Sequence, residues 1–367
     1  MQKRVIVVGI LALGGPLSAL AQDGSSVQLY GQVTSAVTSR DHLTGNTSLT
    51  TLGNSPLAAS LFGLRGTEDL GGGMSAVFRM ESGFDIGTGV GGATVAGSNK
   101  FWNRQSFMGL NFNRMVTVTA GRQFHAATDR VIQTLDVFNV GGTTLAVTPL
   151  ALFGVNRFVG NDSRADESLK LRLRGPDGLT GAASYSNNPT TGTSWSVDAA
   201  LLTPGYSLGA YAVNYRVPSA TVVTAAVRPS HSVWGVGGNA PIGPVRLYAH
   251  YLSSTLDPTA AGRITQKNQI LTLGAAWQAT AQTMIKASLT HDKGTALNGV
   301  SGRNGNKHTL VVSAEYALSK RTSLHAAVFA NRFTDGYKLD PVNIAALGRD
   351  PAASSTRGIT VGMRHDF

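Results

Sequence analysis

Eight cationic side chains set the chemistry this sequence offers. Arg65, Arg79, Lys170, Arg172, Arg174, Arg246, Lys286 and Arg364 each sit in a run where apolar residues take every second place and the cation takes the other parity. The clearest run is Ser168-Leu169-Lys170-Leu171-Arg172-Leu173-Arg174, three leucines against three cations. Fixed cations in such an array attract anions and repel cations without making or breaking a bond. The motifs of bond-making chemistry are absent: there is no G-x-S-x-G, H-E-x-x-H or Walker loop. The chain has no cysteine, and its eight histidines, His250 and His325 among them, are scattered without ligand spacing. No enzyme activity, cofactor or metal is expected.

The elements that position these cations are strands, because only a period of two separates leucines from arginines in this way. If the apolar parity faces lipid, the cations must face water, since Lys or Arg on the lipid side near the bilayer midplane costs roughly 2–4 kcal/mol. Val27 to Arg40 reads as the first strand, with a polar loop from Asp41 to Ala59 after it. A hairpin follows over Leu61 to Phe84, turning at Gly71-Gly72-Gly73, and a second runs from Phe101 to Gln123. Eleven further runs begin at Ser168, which predicts 16 strands in all. Short turns such as Pro176-Asp177-Gly178 alternate with long connections such as 335–355, as in a barrel threaded through a membrane. The last strand, Thr356 to Phe367, places Ile359, Val361, Met363 and Phe367 on one face, and pairs with the Val27 strand if the sheet closes. Tyr30, Trp195, Tyr215, Trp234 and Tyr251 are candidates for interfacial girdles. Arg122 shares the parity of Val116, Val118 and Ala120, which aims it outward unless a bulge at Gly121 or a subunit contact accommodates it.

The alternation stops between Phe124 and about Glu167. A strandless segment of that length in a compact fold is usually functional. Residues Thr128 to Asn139 carry a weak helical spacing through Val131, Leu135 and Phe138. Two acids in it, Asp129 and Asp136, would set a transverse field if they faced the arginines.

Composition narrows the class. Among 367 residues 44 are glycine and 14% are charged, and mean hydropathy is +0.01, too apolar for disorder and too polar for a helical membrane bundle. Lys3 and Arg4, the apolar run Val5 to Leu20 and Ala19-Leu20-Ala21 read as a secretory signal over residues 1–21, leaving 22–367 as the exported barrel. The formal net charge of +11 would suggest nucleic acid in a soluble protein; export makes that partner unexpected.

The stretches V-Q-L-Y-G, F-G-L-R-G-T-E-D-L-G-G-G-M-S-A-V-F-R-M-E-S-G-F, N-R-Q-S-F-M-G-L-N, A-G-R-Q and V-G-M-R-H-D-F together resemble the general diffusion porins of beta-proteobacteria. The resemblance implies an all-β transmembrane antiparallel barrel of 16 strands in the Gram-negative outer membrane. It also implies a homotrimer surrounded by outer-membrane lipid and lipopolysaccharide. The third external loop, about 124–167 by order, would fold inward as a constriction, and terminal Phe367 would belong to the signal read by the barrel-assembly machinery. Arg65 and Arg104 match the family's motifs for an arginine cluster opposite that loop; Lys170 and Arg172 fit by position, and Arg79 joins them by parity. The expected function is passive diffusion of small hydrophilic solutes with a preference for anions. A channel specific for organic anions is the alternative, and a barrel lipase or secreted adhesin is a more distant one. Two departures stand out: the turn Phe112-Asn113-Arg114-Met115 lacks the usual glycine, and the strand after the loop ends in R-G-P-D-G.

Overall fold

A computed structural model describes residues 25–91, 100–139, 155–156, 159–160, 163–188, 192–216, 230–257 and 262–367. The expected signal at 1–21 lies outside them, as does part of the expected constriction loop. The first strands are β1 (Ser26–Leu43), β2 (Thr47–Gly53), β3 (Ser60–Gly71), β4 (Met74–Phe84), β5 (Gln105–Phe112) and β6 (Val116–Phe124). A short helix α1 (Ala126–Arg130) and a wide turn over Val131–Leu135 follow, then a two-residue ladder of β7 (Val155–Asn156) with β8 (Val159–Gly160). The sheet continues through β9 (Arg164–Arg174), β10 (Leu179–Asn188), β11 (Gly192–Leu202), β12 (Ser207–Arg216) and β13 (Ser230–Ile242). It ends with β14 (Val245–Leu256), β15 (Gln266–Gln278), β16 (Thr283–Thr295), β17 (Gly305–Ala317), β18 (Thr322–Phe333), helix α2 (Pro341–Leu347) and β19 (Ser355–Asp366).

Each strand pairs antiparallel with the next, β6 pairs with β9 around the long segment, and β19 closes on β1 through pairs such as Val37↔Val361. The upper half of β1 pairs with β2 and its lower half with β3, so these two occupy one place in the wall. The result is a closed barrel of 16 spans. β2 is an addition: it falls in the stretch expected to be loop.

Burial is inverted relative to a soluble protein. Leu169, Ile359 and Val361 are half exposed, whereas Thr34, Lys170, Ser196 and Thr360 on the opposite parity are buried. That is the outcome for a sheet whose outside is solvated by hydrocarbon and whose inside holds the polar groups. The turn without glycine is closed by Asn113 (φ 50°) and Arg114 (φ 58°), both left-handed. Asn tolerates that geometry and Arg is strained in it. In R-G-P-D-G, Asp177 and Gly178 take the same conformation, and a Cβ at Gly178 would lie 1.9 Å from the Leu202 carbonyl oxygen.

The helical spacing read at Thr128 to Asn139 appears as α1 and the following turn. Ala127, Val131 and Leu135 pack with Tyr211, Val213 and Leu252 of the sheet. The Ala126 and Ala127 N–H groups donate to Ser184 Oγ (3.2 Å) and Ser196 Oγ (2.8 Å), so the free N–H groups of the helix start are satisfied by the barrel's polar face. The connection between β18 and β19 is held by Arg349, whose buried guanidinium donates to the carbonyls of Tyr337, Lys338, Asp350 and Ala353 over the Phe333 ring.

Candidate functional site: a basic chamber

Alternation along β1, β3, β4 and β9 aims side chains from distant strands into one space of about 750 Å³. Five cations line it: Arg65, Arg79, Arg104, Lys170 and Arg172. Glu81, Asp129 and Asp366 line it too, as does Phe367.

On one wall Arg65 and Arg79 are cross-strand partners. Their guanidinium carbons lie 5.0 and 5.2 Å from the centroid of the Tyr30 ring, a double cation–π contact. Arg79 Nε donates to the Tyr30 hydroxyl (2.7 Å), which donates to Glu81 Oε2 (3.0 Å). Buried Glu81 also pairs with an Arg79 terminal nitrogen (2.8 Å) and Arg104 Nε (2.5 Å). One carboxylate thus fixes two guanidiniums, and the pairing offsets its own desolvation. Arg65 is held differently: its Nε donates to neutral Gln28 (3.0 Å), and among the described residues no carboxylate is paired with it.

On β9, three places from β4 along the same arc of the barrel, Lys170 and Arg172 meet Asp129 of α1, which bridges Lys170 Nζ (2.8 Å) and an Arg172 terminal nitrogen (2.6 Å); Lys170 also donates to the Phe124 carbonyl (2.7 Å). Asp136 is not among the residues that line the chamber. Its carboxylate accepts the Phe138 N–H (3.0 Å) and lies within electrostatic reach of Lys286 and Tyr248. The acids expected to work together therefore serve different parts of the wall.

Several groups escaped the sequence reading. Arg130 forms a buried pair with Asp198 (2.6 Å) and reaches Thr180 and Thr134, tying α1 to β10 and β11. The parity of Asp198 within β11 was the available signal. Tyr30 and Tyr215 are corrections to the girdle set, because both point inward: Tyr30 into the chamber, Tyr215 stacked on His231 at 5.7 Å. Trp195 and Trp234 are outward and half exposed. Arg122 sits at a register shift between Gly121 and Gln123, where it bonds the Asn103 carbonyl (2.7 Å) and Asp166 (2.6 Å), and Lys100 pairs with the same carboxylate.

A closed 16-span barrel with an apolar exterior and a charged interior is the architecture that comparison with known proteins returns. The sequence profile of the Gram-negative porins matches residues 8–336. The chain belongs to the Gram-negative porin family. It is 27% identical to the major outer membrane protein P.IB of Neisseria gonorrhoeae, over 93% of this chain and 96% of that one. It is 26% identical to outer membrane porin protein 32 of Delftia acidovorans, with both chains covered in full. Among solved structures it resembles an anion-selective porin from Comamonas acidovorans (TM-score 0.77, 20% identity, 94% of this chain and 100% of that one). It also resembles OmpT of Vibrio cholerae in a trimer form (TM-score 0.66, 14% identity, 94% and 100%). This porin is thus an outer-membrane β-barrel and a diffusion channel.

Proposed function

We propose that this porin passes small hydrophilic solutes with a preference for anions, and that the chamber between Arg65 and Arg172 is its constriction. One observation carries the preference: five cations share a single space of about 750 Å³ with only three carboxylate side chains. An ion in such a space sheds part of its hydration and is compensated by fixed charge, which lowers the barrier for anions and raises it for cations. The segment from Phe124 folds inward and narrows the pore; in support, α1 bonds to Ser184 and Ser196 and delivers Asp129 to Lys170 and Arg172. Arg65, Arg79, Arg104, Lys170 and Arg172 act as the electrostatic filter, with Asp129 as the countercharge on the segment. Asp136 acts at a distance from it.

The working form is a homotrimer in outer-membrane lipid and lipopolysaccharide, a reading supported by the trimer form of the Vibrio relative. Phe367 serves the barrel-assembly machinery. It follows β19 at the seam, where its backbone oxygen accepts the Gly31 N–H (3.1 Å) and its ring stays half exposed. Residues 1–21 direct export and are removed after Ala21.

Planar-bilayer recording of the purified protein tests the proposal. The expected result is conductance in steps of three with a reversal potential toward the anion equilibrium potential under a salt gradient. A cation-selective reversal potential would overturn the filter, and single steps would overturn the trimer.

A further inference from the structure

On the outside of the barrel, at the end of the long connections, four strands place their basic residues side by side. Across β15 to β18 the outward-facing register runs Leu271, His291, His308, Arg332. The two imidazoles touch, with Nδ1 atoms 3.4 Å apart and ring centroids at 4.7 Å. Lys293 lies one outward position above His291, and Lys267 stands above Leu271 on β15; both are exposed. Within β15 to β18 Asp292 and Glu315 have the inward parity; exposed Asp257 and Asp335 lie just beyond the ends of β14 and β18, and Asp41 is engaged by Arg357 (3.3 Å).

The next register below is apolar: Leu273, Leu289, Leu310 and Ala330, ending at Arg357. Here the surface is hollowed into a groove of about 500 Å³ lined by Leu310, Val328, Ala330 and Ile359 and, on its polar side, by Arg40, Asp41 and Arg357. Exposed cations directly above a hydrocarbon-sized groove match an amphiphile with an anionic head and acyl chains. In a porin the end with long connections faces outward, so the row lies at the outer-leaflet boundary.

We propose that His308, Arg332 and Lys293, with His291, form a binding site for the phosphorylated headgroup of an outer-leaflet glycolipid, one of whose acyl chains occupies the groove. The proposal rests on the outer-membrane barrel and on the lipid surroundings proposed above, not on the anion preference of the lumen. Because the cations meet phosphate directly, no bridging divalent cation is needed. Each cation near a charged lipid surface is worth roughly fivefold in binding.

The test is native mass spectrometry of the full-length trimer titrated with diphosphoryl lipid A, dephosphorylated lipid A or inorganic phosphate, in the presence of a chelator. The unsubstituted protein should prefer the diphosphoryl lipid by more than about tenfold. The exposed triple substitution K293Q/H308Q/R332Q should remove that preference while leaving bilayer ion selectivity unchanged. Ala330→Trp, which fills the groove, should weaken both lipids. Equal binding of the phosphorylated and dephosphorylated lipids by the unsubstituted protein would overturn the proposal, and so would an intact preference in the triple variant. Displacement of the lipid by an equal concentration of inorganic phosphate would reassign the row to free phosphate. A trimer with normal selectivity and no phosphate preference separates failure of this site from failure of the channel reading.

Discussion

Arg65→Gln is the cleanest perturbation of the proposed filter, because Arg65 is bonded to neutral Gln28 and its loss leaves no buried carboxylate unpaired. A sphere of the chamber's about 750 Å³ has a radius of about 6 Å, and at that distance a unit charge in water contributes about 0.7 kcal/mol. Screening at 0.1 M, with a length of about 10 Å, reduces this to about 0.4 kcal/mol. The sign is opposite for the two ions, so the anion-to-cation permeability ratio should fall by about 0.8 kcal/mol, about fourfold. Arg65→Glu moves two unit charges and should give about fifteenfold. The assay is the reversal potential across a tenfold salt gradient, repeated at about 1 M salt, where the change should nearly vanish. An unchanged ratio for Arg65→Glu at low salt would refute the placement of Arg65 in the conduction path.

Asp198→Asn leaves the buried Arg130 guanidinium without its carboxylate, at a cost of about 3–5 kcal/mol. Its barrel should lose heat resistance on gels, and the paired change Arg130→Met with Asp198→Leu should recover most of it. Arg114→Gly removes a left-handed strain of about 1 kcal/mol at the β5–β6 turn and should raise the temperature at which the barrel unfolds; a fall would mean that the side chain contributes more than its backbone costs. The Asp350 carboxylate accepts N–H bonds from Ala352 (2.8 Å) and Asn46 (2.9 Å), which hold its carboxyl below the usual range. The contact between the two loops is therefore fully present above the ordinary carboxylate pKa and is lost as pH falls through the depressed value. Amide exchange at Asn46 should stay slow down to about pH 4, and acceleration already at about pH 5 would contradict the assignment.

The barrel was legible because lipid on one side and water on the other impose a strict period of two, and every strand with a cation opposite leucines carries that mark. β2 left no such mark. Thr47–Gly53 is exposed along nearly its whole length, and its two leucines, Leu49 and Leu52, fall on opposite parities, so no period of two can be read there. Tyr30 was ambiguous for the converse reason: an amphipathic ring suits either face, and only its neighbours Arg65 and Arg79 show which one it takes. The two acids part for a local reason. Seven residues apart, Asp129 and Asp136 would share one face of a regular helix. The chain instead widens into a π-turn at Val131–Leu135 and leaves the helix at Asp136 with φ −95° and ψ 120°, which sends the second carboxylate elsewhere.

The charges of the chamber differ in what holds them, and that difference is testable. Arg79 and Arg104 are fixed by Glu81, and Lys170 and Arg172 by Asp129, so each cluster gains rigidity by giving up part of its positive charge. Arg65 keeps its whole charge because a neutral amide and a ring face position it. Glu81→Gln should then act as the mirror of Arg65→Gln: it retains hydrogen-bonding atoms for Tyr30 and Arg104 while adding one net positive charge, so anion preference should rise about fourfold. Combined, the two changes cancel in charge but leave Arg79 and Arg104 without the carboxylate that fixes them. If fixed charge alone sets selectivity, the double variant returns to the original ratio; if the Glu81 clamp also sets geometry, the ratio returns while conductance falls.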